Sequence, residues 1–177
     1  MSRTRKLTLS AMISALCVAC MALSLLIPRV TLGVTALAGI FPAVVVLSCG
    51  YGWAAGASIV AAILGLLLLP EKTAPLWFVF FFGHYPIWKA LIEGLQTRFG
   101  KPWLGWLLKL LGFAACAALL LLAFRGVFTA ALPEQVLGMR FGPWLLAVGL
   151  TAAFVFYDIA FSGLITWFGR TVLPRLH

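Results

Sequence analysis

The chain has 177 residues, of which 64% are hydrophobic and 10% charged, with a mean hydropathy of +1.13. Water-soluble domains run at about 45–50% apolar and about 25% charged, so this composition excludes an ordinary soluble domain and reads as an integral membrane protein. The formal charge of +9 comes from 13 lysines and arginines against four acids. Most of those bases stand at the ends of apolar runs, which speaks for membrane topology and anionic headgroups and against nucleic acid as a partner.

Crossing a bilayer takes about 20 apolar residues. Six runs meet that need, over residues 7–27, 31–49, 52–69, 76–95, 103–124 and 143–168. The expected fold class is all-α: an integral membrane bundle of six transmembrane helices, one domain over 1–177. The first run follows Arg3, Arg5 and Lys6, the opening of a signal peptide, but with five runs behind it an uncleaved first helix is expected. "IPRVTLG" separates the first run from the second, and "SCGYG", the least distinct of the breaks, separates the second from the third. "LPEKTAP", "QTRFGKPW" and "RGVFTAALPEQVLGMRFGP" supply the remaining connections. Pro143 opens the sixth run, a position where proline's missing donor costs nothing.

Six spans put both termini on one side of the membrane. Arg3, Arg5, Lys6, Arg98, Lys101, Arg170 and Arg175 then share that side, and Arg29, Lys72, Arg125 and Arg140 lie opposite. Seven bases against four place both termini in the cytoplasm.

Charges inside the runs are the candidates for chemistry. At 100° per residue, Tyr85, Lys89, Glu93 and Gln96 of the fourth run fall within an arc of about 80°, with His84 just off it. Polar groups in hydrocarbon turn toward protein or water, so this stripe faces inward, or Lys89 and Glu93 reach back to the interface. In the sixth run Thr151, Asp158, Ser162 and Thr166 share another face. A carboxylate at the depth of Asp158 calls for a cationic partner, with Lys89 and His84 the candidates. Most aromatics fit interfacial belts; Trp53, Tyr85, Trp88 and Tyr157 are alternatively of the type that stacks on a flat ligand.

Cys17, Cys20, Cys49 and Cys116 all fall in apolar stretches, so packing is expected of them, and the CxxC of Cys17 and Cys20 lacks the His or acidic neighbours of a metal site. No HExxH, GxSxG, P-loop or pair of acids on one helix is present, which argues against an enzyme, a metal centre or a bound cofactor. Without a P-loop, active transport would have to borrow an ATPase.

On the first run Ala11, Ala15 and Ala19 recur every four residues, with Ala22 back on the same face, and small residues at that spacing let helices approach closely. On the third, Gly52 and Gly56 form one such face, and Ala57, Ala61 and Gly65 another. Six helices in about 180 residues, a basic N-terminus and "LSAMISALCVA" opening the first helix resemble the S component, the substrate-binding membrane subunit, of energy-coupling factor transporters. The resemblance implies uptake of a small water-soluble, vitamin-like micronutrient, energised by separate ATPase subunits. It further implies that Ala11 and Ala15, extended by Ala19, dock on a transmembrane coupling subunit. The ligand of that family sits toward the extracellular half, under the loop after the first helix, which here contributes Arg29. Ligand residues in that family vary with substrate, so the expected substrate-binding residues come from the polar faces and aromatics of this sequence, His84, Tyr85, Lys89, Tyr157 and Asp158, with Arg29 of the loop. The alternative is a non-transporting membrane scaffold similar to the rod-shape-determining family, which would use the polar faces for helix packing alone.

Overall fold

A computed structural model of the chain describes residues 2–27, 30–99, 102–123 and 142–171. The described residues are helical almost throughout. They form α1 (Arg3–Ala22) with a 3-10 turn (Leu23–Leu25), α2 (Thr31–Ala38), α3 (Phe41–Cys49), α4 (Tyr51–Leu68) and α5 (Thr73–Trp77). A π turn (Phe78–Phe82), α6 (Tyr85–Phe99), α7 (Pro102–Ala123) and α8 (Gly142–Thr171) complete them. Among the described residues three runs are long and apolar enough to cross a membrane, Arg3–Leu25, Thr31–Cys49 and Tyr51–Leu68, and Trp103–Leu119 and Thr151–Thr166 are shorter apolar helices. The chain divides into two compact units, residues 1–112 and 113–177, and each is described by itself.

In the first unit, polarity is inverted relative to a water-soluble protein. Leu7, Met12, Leu16, Ile59, Ile63 and Leu67 point outward, whereas Ser10, Ser14, Thr35, Ser58, Lys89 and Lys109 are buried. Burial of hydroxyls and ammonium groups beneath a leucine-rich exterior suits a chain whose surroundings are hydrocarbon, where polar groups must find protein partners.

Lipid tails are as apolar as leucine, so helices in a membrane associate through close packing and interhelical hydrogen bonds. The junction of α1 and α4 follows that rule. Ala54, Ala57, Ala61 and Gly65 of α4 face Ser14, Cys17 and Met21 of α1 in one buried cluster. The Ser14 hydroxyl donates to the carbonyls of Ser10 and Ala57, both at 2.9 Å. A methyl on Gly65 would come within 2.9 Å of Met21 Cε. Contacts from Ser14 to Ala57 and from Met21 to Gly65 advance together along both helices, so α1 and α4 run parallel. Cys17 meets Ala38 and Cys20 meets Val34, so α1 and α2 run antiparallel. The first three runs therefore alternate in direction, as successive crossings require.

The weakest boundary in the sequence proves to be a single residue. Gly50 ends α3 and precedes α4 at φ 95°, ψ 173°, a backbone region that side chains with a Cβ rarely enter. At the far end of α4, Lys72 Nζ turns back to the carbonyls of Leu66 and Leu69, capping a helix that Pro70 does not extend.

Two runs read as continuous helices are kinked. The second is α2 followed by α3, interrupted at Gly39–Ile40; the fourth is α5, the π turn and α6, interrupted at Gly83–His84. In each a glycine is followed three residues later by proline, Gly39-Ile40-Phe41-Pro42 and Gly83-His84-Tyr85-Pro86. Proline carries no N–H, so the helical donors for the carbonyls of Ala38 and Phe82 are missing. The backbone nonetheless stays right-handed helical, with Gly39 at φ −65°, Ile40 at φ −74° and Gly83 at φ −70°. These are kinks and not loops.

Candidate functional site

Helix α6 carries the polar stripe read from the sequence. Tyr85, Lys89 and Ile92 are buried, Glu93 and Gln96 half-buried, and Leu91, Gly94 and Leu95 look outward. The stripe does face inward, as helical periodicity requires of polar groups in an apolar surround. Lys89 is only 1% exposed, so its ammonium group is held within the protein.

The partner across the gap is Lys109 of α7, 6% exposed. Glu93 Oε1 lies 3.2 Å from Lys89 Nζ one turn earlier and 3.2 Å from Lys109 Nζ on the neighbouring helix. One carboxylate oxygen thus accepts from two buried ammonium groups, while the Glu93 side chain remains 46% exposed. Lys109 also lies over the Trp106 ring, 5.6 Å from its centroid, where the ring's negative face attracts a cation. The two helices are antiparallel around this cluster: Gln96 occupies the space a methyl on Gly105 would take, and the Trp88 indole lies where one on Gly112 would reach.

His84 sits at the kink itself, outside α6, and is exposed. Its Nδ1 lies 3.1 Å from the carbonyl of Val79, and its own carbonyl accepts from the amides of Ile87 and Trp88 to start α6. A ring nitrogen facing a carbonyl carries the proton, which fixes Nδ1 as the protonated one. His84 therefore finishes the π turn as well as belonging to the polar set.

In the second unit, α8 carries Asp158 at 2% exposure between the buried rings of Phe154 and Phe161, one turn to either side on the same face. Phe154 stacks on Phe113 of α7 with centroids 4.3 Å apart, and Tyr157, half-buried, lies 5.6 Å from Phe161. Ser162 donates to the Asp158 carbonyl at 2.7 Å and Thr166 to that of Ser162 at 2.9 Å, so these hydroxyls bond within their own helix. The partner expected for Asp158 on the fourth run belongs to the other unit. Arg29 lies outside the described residues.

Ala11, Ala15 and Ala19 are exposed, on the side of α1 away from its buried Ser10, Ile13, Ser14, Cys17 and Met21. Gly52 and Gly56 are exposed too, and a methyl on either would touch nothing. The other small-residue face of α4 is the one packed on α1.

The cysteines act as packing groups with weak donors. Cys17 Sγ donates to the Ala38 carbonyl at 3.4 Å and Cys20 Sγ to that of Val34 at 3.5 Å, and none of the four cysteines is in a disulfide. Among the described residues no group of three or more His, Cys, Asp or Glu could hold a metal ion.

Sequence reasoning passed over Lys109 because its partner lies sixteen residues earlier, across a helix–helix turn. The available signal was its place as a lone cation in the apolar run after Trp106, and an ionisable residue in such a run is a candidate by default. No protein-family model, curated protein or solved structure matches the chain.

Proposed function

We propose that the protein is a membrane-embedded binding subunit that captures a small water-soluble compound and passes it to a separate, ATP-driven coupling module. The observation that carries this reading is the cluster of Lys89, Glu93 and Lys109, two buried cations sharing one half-exposed carboxylate inside an apolar bundle. Ion pairs in an apolar surround are costly to desolvate, and packing alone would favour apolar residues at these positions. A binding role gives such polar groups a reason to be there. The exposed alanine face of α1 fits the second half of the proposal, since it is left over once α1 has packed on α2 and α4. In this reading both termini are cytoplasmic, and the residues expected to contact the ligand are those named from the sequence, His84, Tyr85, Lys89, Tyr157, Asp158 and Arg29.

The test is purification of the full chain from its native membrane, with mass spectrometry of the small molecules and proteins that accompany it. A bound micronutrient-sized compound together with ATPase subunits is expected, and Asp158→Ala is expected to lose the compound while Glu134→Ala retains it. Recovery of cell-wall synthesis proteins with no small molecule would establish the scaffold reading instead.

A further inference from the structure

We infer that the compound captured by the protein is a carboxylate, which binds by taking the place of Glu93 between Lys89 and Lys109. The inference rests on the binding role proposed above and names the chemical class of its ligand. It starts from an asymmetry of burial. Both lysines are enclosed, Lys89 at 1% and Lys109 at 6% exposure, whereas the Glu93 side chain that joins them is 46% exposed. The carboxylate is thus the outer member of the cluster and the cations are the inner ones.

That exposure gives Glu93 a way out that the lysines lack. Its side chain turns about single bonds between staggered rotamers, so it can leave the ammonium groups with the α6 backbone unmoved. Leaving alone is costly, because two buried ammonium groups would each lose a counter-charge held at 3.2 Å. A second anion that arrives as Glu93 departs removes that cost. A neutral or cationic compound does not, so the cluster discriminates against both.

The geometry suits a carboxylate in particular. Both Nζ atoms already converge on one carboxylate oxygen, so an incoming carboxylate finds its donors in place. Bonds between ionised donors and acceptors are roughly twice as strong as neutral ones, enough to compete with Glu93. Beside them the exposed Trp106 ring, 5.6 Å from Lys109 Nζ, offers an apolar flank for the remainder of the compound. Lys89, Glu93, Trp106 and Lys109 all belong to the first unit, so the position is built within it.

Acetate and its neutral analogue acetamide are the probes, applied to the full chain in phosphatidylcholine nanodiscs at constant ionic strength. Binding is read as the rise of the unfolding temperature with probe concentration. In the unmodified protein Glu93 competes with acetate, and a Glu93-out state populated at about 10% or less weakens the apparent affinity about tenfold or more. Glu93→Ala removes the competitor, so it is expected to bind acetate at least about tenfold tighter, saturably, and to ignore acetamide. Adding Lys109→Met to that variant should abolish the response. Glu93→Gln should respond in the same direction and serves if Glu93→Ala does not fold. Should neither fold, the unmodified protein decides by whether acetate raises its unfolding temperature more than acetamide does. Equal acetate affinity with and without Glu93, or an equal response to acetamide, would overturn the inference. So would a response that survives Lys109→Met, which would show an adventitious ion only. Loss of acetate binding when phosphatidylglycerol is added to the nanodiscs would assign the position to a lipid headgroup and overturn it too. Failure of the binding role reads differently, as no small molecule accompanying the chain from its native membrane, whatever acetate does. A co-purified compound without an anionic group would leave that role standing and overturn this inference alone.

Discussion

Cys17 donates its thiol to the carbonyl of Ala38 at 3.4 Å, and that carbonyl is the one Pro42 leaves without a helical donor. A cysteine on one helix thereby repairs the hydrogen bonding of a kink in the next. Replacing Cys17 with Ala removes the donor and leaves a buried carbonyl unsatisfied, a loss of about 1–3 kcal/mol. Cys17→Ser keeps a donor and should lose less. Thermal unfolding of the two variants in the same detergent checks the order, and equal losses would show that sulfur volume alone matters.

The serines between α1 and α4 divide by hydrogen bonding. Ser14 bridges to Ala57, whereas Ser10 Oγ and Ser58 Oγ are buried with no hydrogen-bond partner among the described residues. Ser14→Ala should destabilise by about 1 kcal/mol, the worth of an ordinary hydrogen bond. Ser58→Ala removes an unpaired hydroxyl and should leave stability unchanged or raise it. Denaturation midpoints compare the two directly.

How far the sequence foretold these features depends on whether the cause was local. The six apolar runs each contain helix in the structure because length and hydropathy are local properties. The inward stripe of Tyr85, Lys89 and Glu93 was legible for the same reason, since 100° per residue holds along α6. The kinks left a visible mark, a glycine and a proline at the same spacing around Phe41 and Tyr85, but bilayer helices often contain proline, so the mark alone does not announce a break. Contact of Gly39 with Phe82 and the bridge from Glu93 to Lys109 are tertiary facts, fixed by which helices become neighbours. Nothing in one apolar run says which other run it will meet.

Glu93 holds two buried ammonium groups, so Glu93→Gln should weaken the α6–α7 hairpin more than an ordinary surface change does. The carboxylate is half-exposed, which lowers the cost below that of a fully buried pair, to about 1–3 kcal/mol. Substituting the half-buried Lys6 near the chain start with Gln should change stability by less than about 0.5 kcal/mol. If the two substitutions have equal effects on the unfolding temperature, the bridge adds no net stability.

Topology follows from the bases that flank the runs and can be read with reporter fusions. Fusions at residue 177 should report the cytoplasm and fusions at residue 72 the opposite side, given seven bases against four. The alternating directions of α1, α2 and α4 accord with three successive crossings. A C-terminus that reports the outside would overturn the six-span arrangement.

The alanine face of α1 separates a docking subunit from a free-standing scaffold. Ala11 and Ala15 are exposed, and α1 packs through the opposite side, where Ser10, Ser14, Cys17 and Met21 are buried. Enlarging both alanines to leucine should therefore leave the fold intact, since leucine is a good helix former and both positions are exposed. The unfolding temperature of Ala11→Leu/Ala15→Leu should stay within a few degrees of the parent, a change of less than about 1 kcal/mol. A partner helix that needs methyl-sized residues for close approach would be held off. The double variant should accordingly keep its small molecule yet fail to co-purify with a transmembrane coupling protein and its ATPases. Co-purification at the parental level would show that docking does not use this face. Loss of folding would show instead that the alanines are packed within the protein, and the resemblance to the S components would then lose the motif that carries it.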